Sequence, residues 1–230
     1  MFLDPLYLIL VGPAFLLSLV AQGWVRSAFS RWSRVRHSGN LTGAEAARRV
    51  LRAAGIHDVR IEPTGGFLGD HYDPRSRTLR LSHQNHDTPS VAAVAIAAHE
   101  AGHAIQQARR YPALALRTAL VPLAGLGNIG LLMVMAGFFL QALDLVKIGT
   151  LLFGTIVAFQ IVTLPVEFDA SRRAMAMLRQ TGIVSGDEAV GARRVLTAAA
   201  MTYVAAAAAA VSQLLYFALR GGLLGGRRDG

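Results

Sequence analysis

Apolar residues are spread along this chain in two ways. Four stretches are apolar almost throughout: about Leu6–Val25, Leu120–Leu143, Ile148–Leu164 and Val195–Leu219. Each is long enough for a helix that crosses the roughly 30 Å of bilayer hydrocarbon. The fourth carries the run Ala205–Ala210 and reads equally as a buried helix. Between these stretches polar residues return and the periods become those of soluble structure. Thr42-Gly43-Ala44-Glu45 is a capping box, opening a helix to about Ala54 with Gly55 as its stop. Val59–Pro63 and Thr78–Ser82 alternate as strands do. Asp73-Pro74-Arg75-Ser76 between them is turn chemistry, so a helix and a β-hairpin are predicted. Val91–Arg110 reads as one alanine-rich helix, with Thr88 as N-cap and Pro89 in the first turn. Pro165 ends the third apolar stretch, and a new helix starts at Val166. Ser185-Gly186-Asp187-Glu188 is a second capping box, leading through Arg193 and Arg194 into the fourth stretch.

The pattern implies a mainly α fold: a polytopic helical membrane protein with a small α+β unit. The expected division is an anchor over 1–25, a polar unit over 26–117, a helical hairpin over 118–165, polar helices over 166–194, a fourth membrane or buried helix over 195–219, and a tail over 220–230. Composition agrees, since 53% of the residues are hydrophobic and the mean hydropathy is +0.41. The first stretch lacks a basic leading segment and a small-residue cleavage site, and Arg26, Arg31, Arg34 and Arg36 follow it, so it reads as a retained anchor with Ser27–Asn40 as a basic connector.

The formal charge of +9 is almost all arginine, Lys147 being the one lysine. Segments 26–117 and 166–194 hold 19 of the 23 basic residues, 14 in the first and 5 in the second. By the positive-inside rule both face the cytoplasm of a cell membrane, with the two termini outside; Arg227 and Arg228 in the tail pull the other way. The basic balance is thereby accounted for without nucleic acid. There is no cysteine, which excludes disulfides, thiolate zinc sites and thiol nucleophiles.

The chemistry lies in the alanine-rich helix, which contains His99-Glu100-Ala101-Gly102-His103. Residues i and i+4 share a helix face, so the two imidazoles can hold one Zn²⁺, while Glu100 on the neighbouring face can take a proton from water. Two imidazoles and a carboxylate in an apolar helix are costly unless something satisfies them, and a metal would. An open zinc site needs a third protein ligand. Glu167 is the candidate, beyond a hairpin that returns the chain to the same side; it can also be read as a partner of Arg172 or Arg173, or as a carboxylate near a helix N-terminus. Asp169 could orient a ligating histidine through its second nitrogen. Asp70, His71 and Asp73 suggest a second metal site, against which stand local turn hydrogen bonds. Thr78, Leu79, Arg80, Leu81 and Ser82 precede the zinc helix and would be an edge strand on which a substrate could lie, with Gly65–Gly69 next in line.

At these residues the chain resembles the YugP-type membrane zinc metallopeptidases, from about Thr42 to Tyr216. The likeness rests on Asp70-His71-Tyr72-Asp73-Pro74-Arg75, on Ala97 to Gln106 around the motif, on Leu120-Val121-Pro122 and on Glu167-Phe168-Asp169-Ala170-Ser171. It implies a zinc-dependent membrane peptidase. More distantly the chain resembles gluzincins of the HtpX and CAAX prenyl protease type, which add a glutamate ligand from a later E-x-x-x-D motif. Glu167 matches that ligand. Ser171 stands where the aspartate would, and Asp169 lies two residues earlier, so the orienting role is open between Asp169 and Ser171.

The expected function is zinc-dependent endopeptidic cleavage of membrane or membrane-associated proteins, with one Zn²⁺ per chain on His99, His103 and Glu167 and with Glu100 as base. A non-enzymatic membrane scaffold or chaperone with a structural metal is the rival; it needs a fourth protein ligand, for which His71 is nearest. A metal-ion carrier would need ionisable residues deep in the spans, and they hold almost none. Substrate identity and oligomeric state are not legible.

Overall fold

The computed structural model describes residues 4–65 and 69–224. Gly66, Phe67 and Leu68 of the glycine-rich segment, and Arg227 and Arg228 of the tail, lie outside the described residues. The chain is mostly helical, in the order α1 (Pro5–Ser33), α2 (Gly43–Ala53), β1 (Arg60–Thr64), β2 (His71–Asp73), β3 (Thr78–Ser82), α3 (His83–Asp87), α4 (Val91–Ala108), α5 (Pro112–Phe139), α6 (Leu143–Gln180) and α7 (Gly186–Arg220). Helices α1, α5, α6 and α7 are long and apolar enough to cross a membrane.

These helices outrun the apolar stretches that predict them. Helix α1 continues to Ser33, so half of the expected connector is helical. Only then does the chain extend, and His37 N–H donates to the Pro89 carbonyl (2.9 Å) while Val91 N–H donates to that of Val35 (3.0 Å). Helix α6 runs through Pro165, where a break was expected. Proline removes one N–H from the ladder without ending a helix that is otherwise well supported. With 38 residues α6 is about 57 Å long, far more than one crossing uses, and its last turns are a rigid extension that carries polar residues.

The chain forms two compact units. One comprises residues 4–21, 115–165 and 202–224. Its core gathers Val11, Val134, Val146, Phe153 and Phe217. Helices α5 and α6 meet there at glycine: a Cβ on Gly130 would stand 2.6 Å from the Gly149 carbonyl oxygen, and one on Gly149 2.7 Å from that of Gly130. Asp4 accepts from Leu6 N–H at the start of α1 and from Tyr216 Oη and the Arg220 guanidinium near the end of α7.

The second unit comprises residues 22–114 and 166–201. The expected capping box opens α2: Thr42 Oγ1 accepts from Glu45 N–H, and the Glu45 carboxylate accepts from Thr42 N–H. Helix α2 lies on α3 and α4 through Gly43, whose Cβ would collide with the Asn85 carbonyl of α3 and stand 2.9 Å from the Ala93 carbonyl of α4. Helix α4 is capped by Ser90, whose Oγ accepts from Ala93 N–H (3.2 Å), and not by Thr88, which instead closes the short helix α3. At the second predicted capping box the Glu188 carboxylate turns away from its own helix start and accepts from Ser38 N–H (2.6 Å).

The sheet departs from the expected hairpin. Its order is β1-β3-β2. The two strands read from the sequence pair in parallel, Arg60 with Thr78 through Thr64 with Ser82. The hairpin is made by β2, a strand of three residues, antiparallel to β3. Its turn is the predicted one: Asp73 accepts from Arg75 N–H (2.9 Å) and Ser76 Oγ (2.6 Å), and these hydrogen bonds hold its carboxyl pKa down at about 2. Strand β3 is therefore the central strand, paired with β1 along its whole length and with β2 from Thr78 to Arg80.

Candidate metal centre

Helix α4 presents His99 and His103 one turn apart, and α6 presents Glu167 to both. A Cβ on Gly102 would stand 2.6 Å from the Ala170 carbonyl oxygen and 3.2 Å from its Cα, so the two helices cross with their backbones in contact. Only glycine permits that approach. It brings Glu167 Oε2 to 3.1 Å from His99 Nε2 and 3.6 Å from His103 Nε2. The imidazoles meet edge to face, with centroids 4.8 Å apart. Among the described residues this is the one group of three such side chains whose ligand atoms converge, all within 4.8 Å of one another.

The other ring nitrogens are occupied. His99 Nδ1 lies 3.1 Å from Ser171 Oγ. His103 Nδ1 lies 3.0 Å from Gln106 Oε1. The Gln106 amide, fully buried, donates from Nε2 to the Val166 carbonyl (2.7 Å) and to Asp169 Oδ2 (3.0 Å). Both of those partners are acceptors, so the amide oxygen must be the atom that faces His103. An amide oxygen only accepts, hence His103 carries its proton on Nδ1 when neutral, and its Nε2 lone pair points at the Glu167 carboxylate. A lone pair and a carboxylate oxygen face each other stably only with a cation or a proton between them. Asp169 is itself held by Arg172 and Arg173.

This donor set fits a zinc ion. Two atoms bound at about 2.0–2.1 Å to a tetrahedral ion lie about 3.3–3.4 Å apart, and the observed 3.1 and 3.6 Å separations bracket that value. Glu167 is only 2% exposed and His103 7%, so water cannot replace the missing cation cheaply. Burial pushes the pKa of the His103 ring down, but the Glu167 carboxylate and the charge of Glu100 outweigh it and leave that pKa above the usual histidine range. Glu100 is buried beside this cluster without being one of the three converging groups.

Glu167 faces the histidines. Ser171 and Asp169 both take part, on different histidines, the second through Gln106. Gln106 was missed by the sequence reading, although a glutamine three residues after His103 on a buried apolar helix was a usable signal. Gly102 was missed as well.

Other expectations fail. His71 is exposed on β2, with Nδ1 2.7 Å from the Gly69 carbonyl, and stands apart from the ligand group. Asp70 accepts from Ser82 N–H (2.8 Å) and Asn85 Nδ2 (2.8 Å), and Asp73 closes the hairpin turn. Among the described residues they do not converge as a second group of metal ligands. Thr78, Leu79, Arg80, Leu81 and Ser82 do not form an exposed substrate strand: β3 is paired on both sides, and Leu79 and Leu81 are fully buried. Strand β1 pairs along the whole of β3 and β2 with Thr78, Leu79 and Arg80, and beyond β2 the Ser82 N–H is taken by Asp70 Oδ1, so the edges of the sheet are β1 and β2.

Comparison with known proteins agrees with this geometry. Residues 7–221 match a family described as "putative neutral zinc metallopeptidase". A protein of Bacillus subtilis (strain 168), described as "putative membrane protease YugP", is 42% identical over 215 residues, covering 93% of this chain and 96% of its own. No solved structure matches the chain.

Proposed function

Because this chain belongs to the putative neutral zinc metallopeptidase family, we propose that it is a membrane-bound zinc endopeptidase of gluzincin type that hydrolyses peptide bonds in membrane or membrane-associated proteins. The observation that carries this reading is the convergence of His99, His103 and Glu167 with both remaining ring nitrogens already engaged.

His99, His103 and Glu167 hold one Zn²⁺, which supplies Lewis acidity: a lowered pKa for water and polarisation of the scissile carbonyl. Glu100 works beside them as general base. Its carboxylate takes a proton from the attacking water and passes it to the amide nitrogen as the C–N bond breaks, so that water adds across the bond and an acid and an amine are released. Gln106 and Ser171 keep the imidazoles oriented, and Asp169 keeps Gln106 from rotating. The same set argues against a closed structural metal site. That would need a fourth protein ligand, and among the described residues no fourth group joins the three. The excess of arginine in segments 26–117 and 166–194 supports a cytoplasmic orientation for them in this reading, with α1, α5, α6 and α7 as the membrane spans.

Metal analysis of purified protein tests the ligand set. His99→Ala, His103→Ala and Glu167→Ala each lower bound zinc, whereas Glu100→Gln keeps zinc and stops cleavage when membrane proteomes of wild type and variant are compared. Full zinc in Glu167→Ala would remove the third ligand. For orientation, Arg75→Cys is a single thiol in a cysteine-free chain. It should react with an impermeant reagent only after cells are opened; labelling in intact cells reverses the topology.

A further inference from the structure

A cleft of about 470 Å³ opens between the last turns of α6 and the first turns of α7. Its walls are two helix faces. Phe168, Ser171, Met175 and Arg179 succeed one another on α6 at intervals of three and four, and Arg193, Leu196 and Ala200 do so on α7. One end is Ser171, whose hydroxyl contacts His99, so the cleft starts one side chain away from the metal ligands. The floor is apolar, and Phe168 is an exposed large hydrophobic residue. The rim is cationic. Arg172 is paired with Asp169, but Arg179 and Arg193 have no acidic partner among the described residues.

We propose that this cleft is a substrate subsite for an extended peptide segment with an acidic side chain, which Arg179 and Arg193 receive while its apolar neighbours lie on Phe168, Met175 and Leu196. The proposal rests on the peptidase reading above and names the substrate class. Eight residues separate Ser171 from Arg179, about 12 Å along the helix, and an extended chain covers that distance in about four residues. The acidic residue therefore falls about four positions beyond the one beside Ser171.

A phospholipid headgroup is the other anion to consider. The apolar floor running from Ser171, one side chain from the metal ligands, to Arg179 fits a peptide chain lying across the site, and the lipid arm of the test separates the two.

The test uses full-length, zinc-loaded protein in nanodiscs and a pair of fluorogenic peptides that differ only by Glu or Gln at the acidic position. Wild type should prefer the Glu peptide in kcat/KM. In the double variant Arg179→Glu, Arg193→Glu the Glu-to-Gln preference should fall about tenfold, mostly through KM, and a Lys peptide should gain. The double variant Arg48→Glu, Arg49→Glu, an equal charge change at two exposed sites of α2, should keep the wild-type preference. An unaltered preference in the double variant overturns the proposal. So does a change that appears only in anionic nanodiscs and is the same for both peptides, which would assign the arginines to lipid. Binding of the same peptides to Glu100→Gln, read by fluorescence anisotropy, separates this proposal from the one beneath it. A Glu preference in binding that the arginine variants abolish supports the cleft even if wild type cleaves neither peptide, a result that would overturn only the peptidase reading. Equal binding of both peptides overturns the cleft.

Discussion

At Gly102 and at Gly130 the chain brings two helices so close that a methyl group on either glycine would stand 2.6 Å from a carbonyl oxygen of the neighbouring helix. The contact at Gly130 joins α5 to α6 inside an apolar unit. There no water is to be excluded and close van der Waals approach is what holds helices together. The contact at Gly102 joins α4 to α6 in the other unit, and every polar group of the candidate site is carried by the two helices of that crossing. The same device thus serves packing in one place and ligand geometry in the other. What differs is its tolerance. Around Gly130, where the neighbours are the backbone of α6, the helices would have to part, at a cost in stability alone, but ligand atoms 3.1–3.6 Å apart cannot be spread and still share one ion.

The comparison is broken most directly by Gly102→Val. It should move α6 off α4 and abolish zinc binding, measured as metal content of purified protein, while far-UV circular dichroism stays helical. If the variant binds zinc normally, the backbone contact is not what sets the site. Gly130→Val should do the reverse: a loss of about 1–3 kcal/mol in stability from overpacking, read as a lower melting temperature in detergent, with zinc content preserved.

Smaller effects sharpen the picture within the site. Gln106→Leu removes the buried link that fixes the His103 tautomer and leaves Asp169 without its amide partner. Zinc affinity should fall about 10–100-fold, measured by competition with a chelator dye. Ser171→Ala acts on His99, whose ring is half-buried, so water can take over the lost hydroxyl; the fall should be less than about tenfold. If Ser171→Ala were the more damaging of the two, the ranking by burial would be wrong.

How much of this was legible depends on the range of the interaction. The spacing of His99 and His103 is a property of one helix and needs no partner to be read. The capping box at Thr42, the stop at Gly55, the turn at Asp73 and the four apolar stretches are equally local. Glu167 is 64 residues from His103, and it was singled out by a hairpin that returns the chain to the same side together with a motif likeness. Thr78–Ser82 reads as an edge strand in the sequence because strand character is local and edge position is not: a strand of three residues, β2, too short to show alternation, covers Thr78 to Arg80 on the side opposite β1. Pro165 misled for a related reason, since a proline argues for a helix end only when nothing else holds the helix.

By itself the sequence determined the identity of the chemistry: an H-E-x-x-H face on a capped, alanine-rich helix, a chain without thiols, and helices long enough for a bilayer. Periodicity, capping and composition are fixed within a few turns of backbone, so they can be read from neighbours in the chain. Tertiary structure alone decided the geometry that makes the chemistry usable. It placed Ala170 against Gly102, turned the Gln106 amide by means of Asp169 and Val166, gave Ser171 to His99, and set β3 in the middle of its sheet. Each of those depends on atoms dozens of residues apart competing for the same few ångströms, and no local pattern records the outcome of that competition.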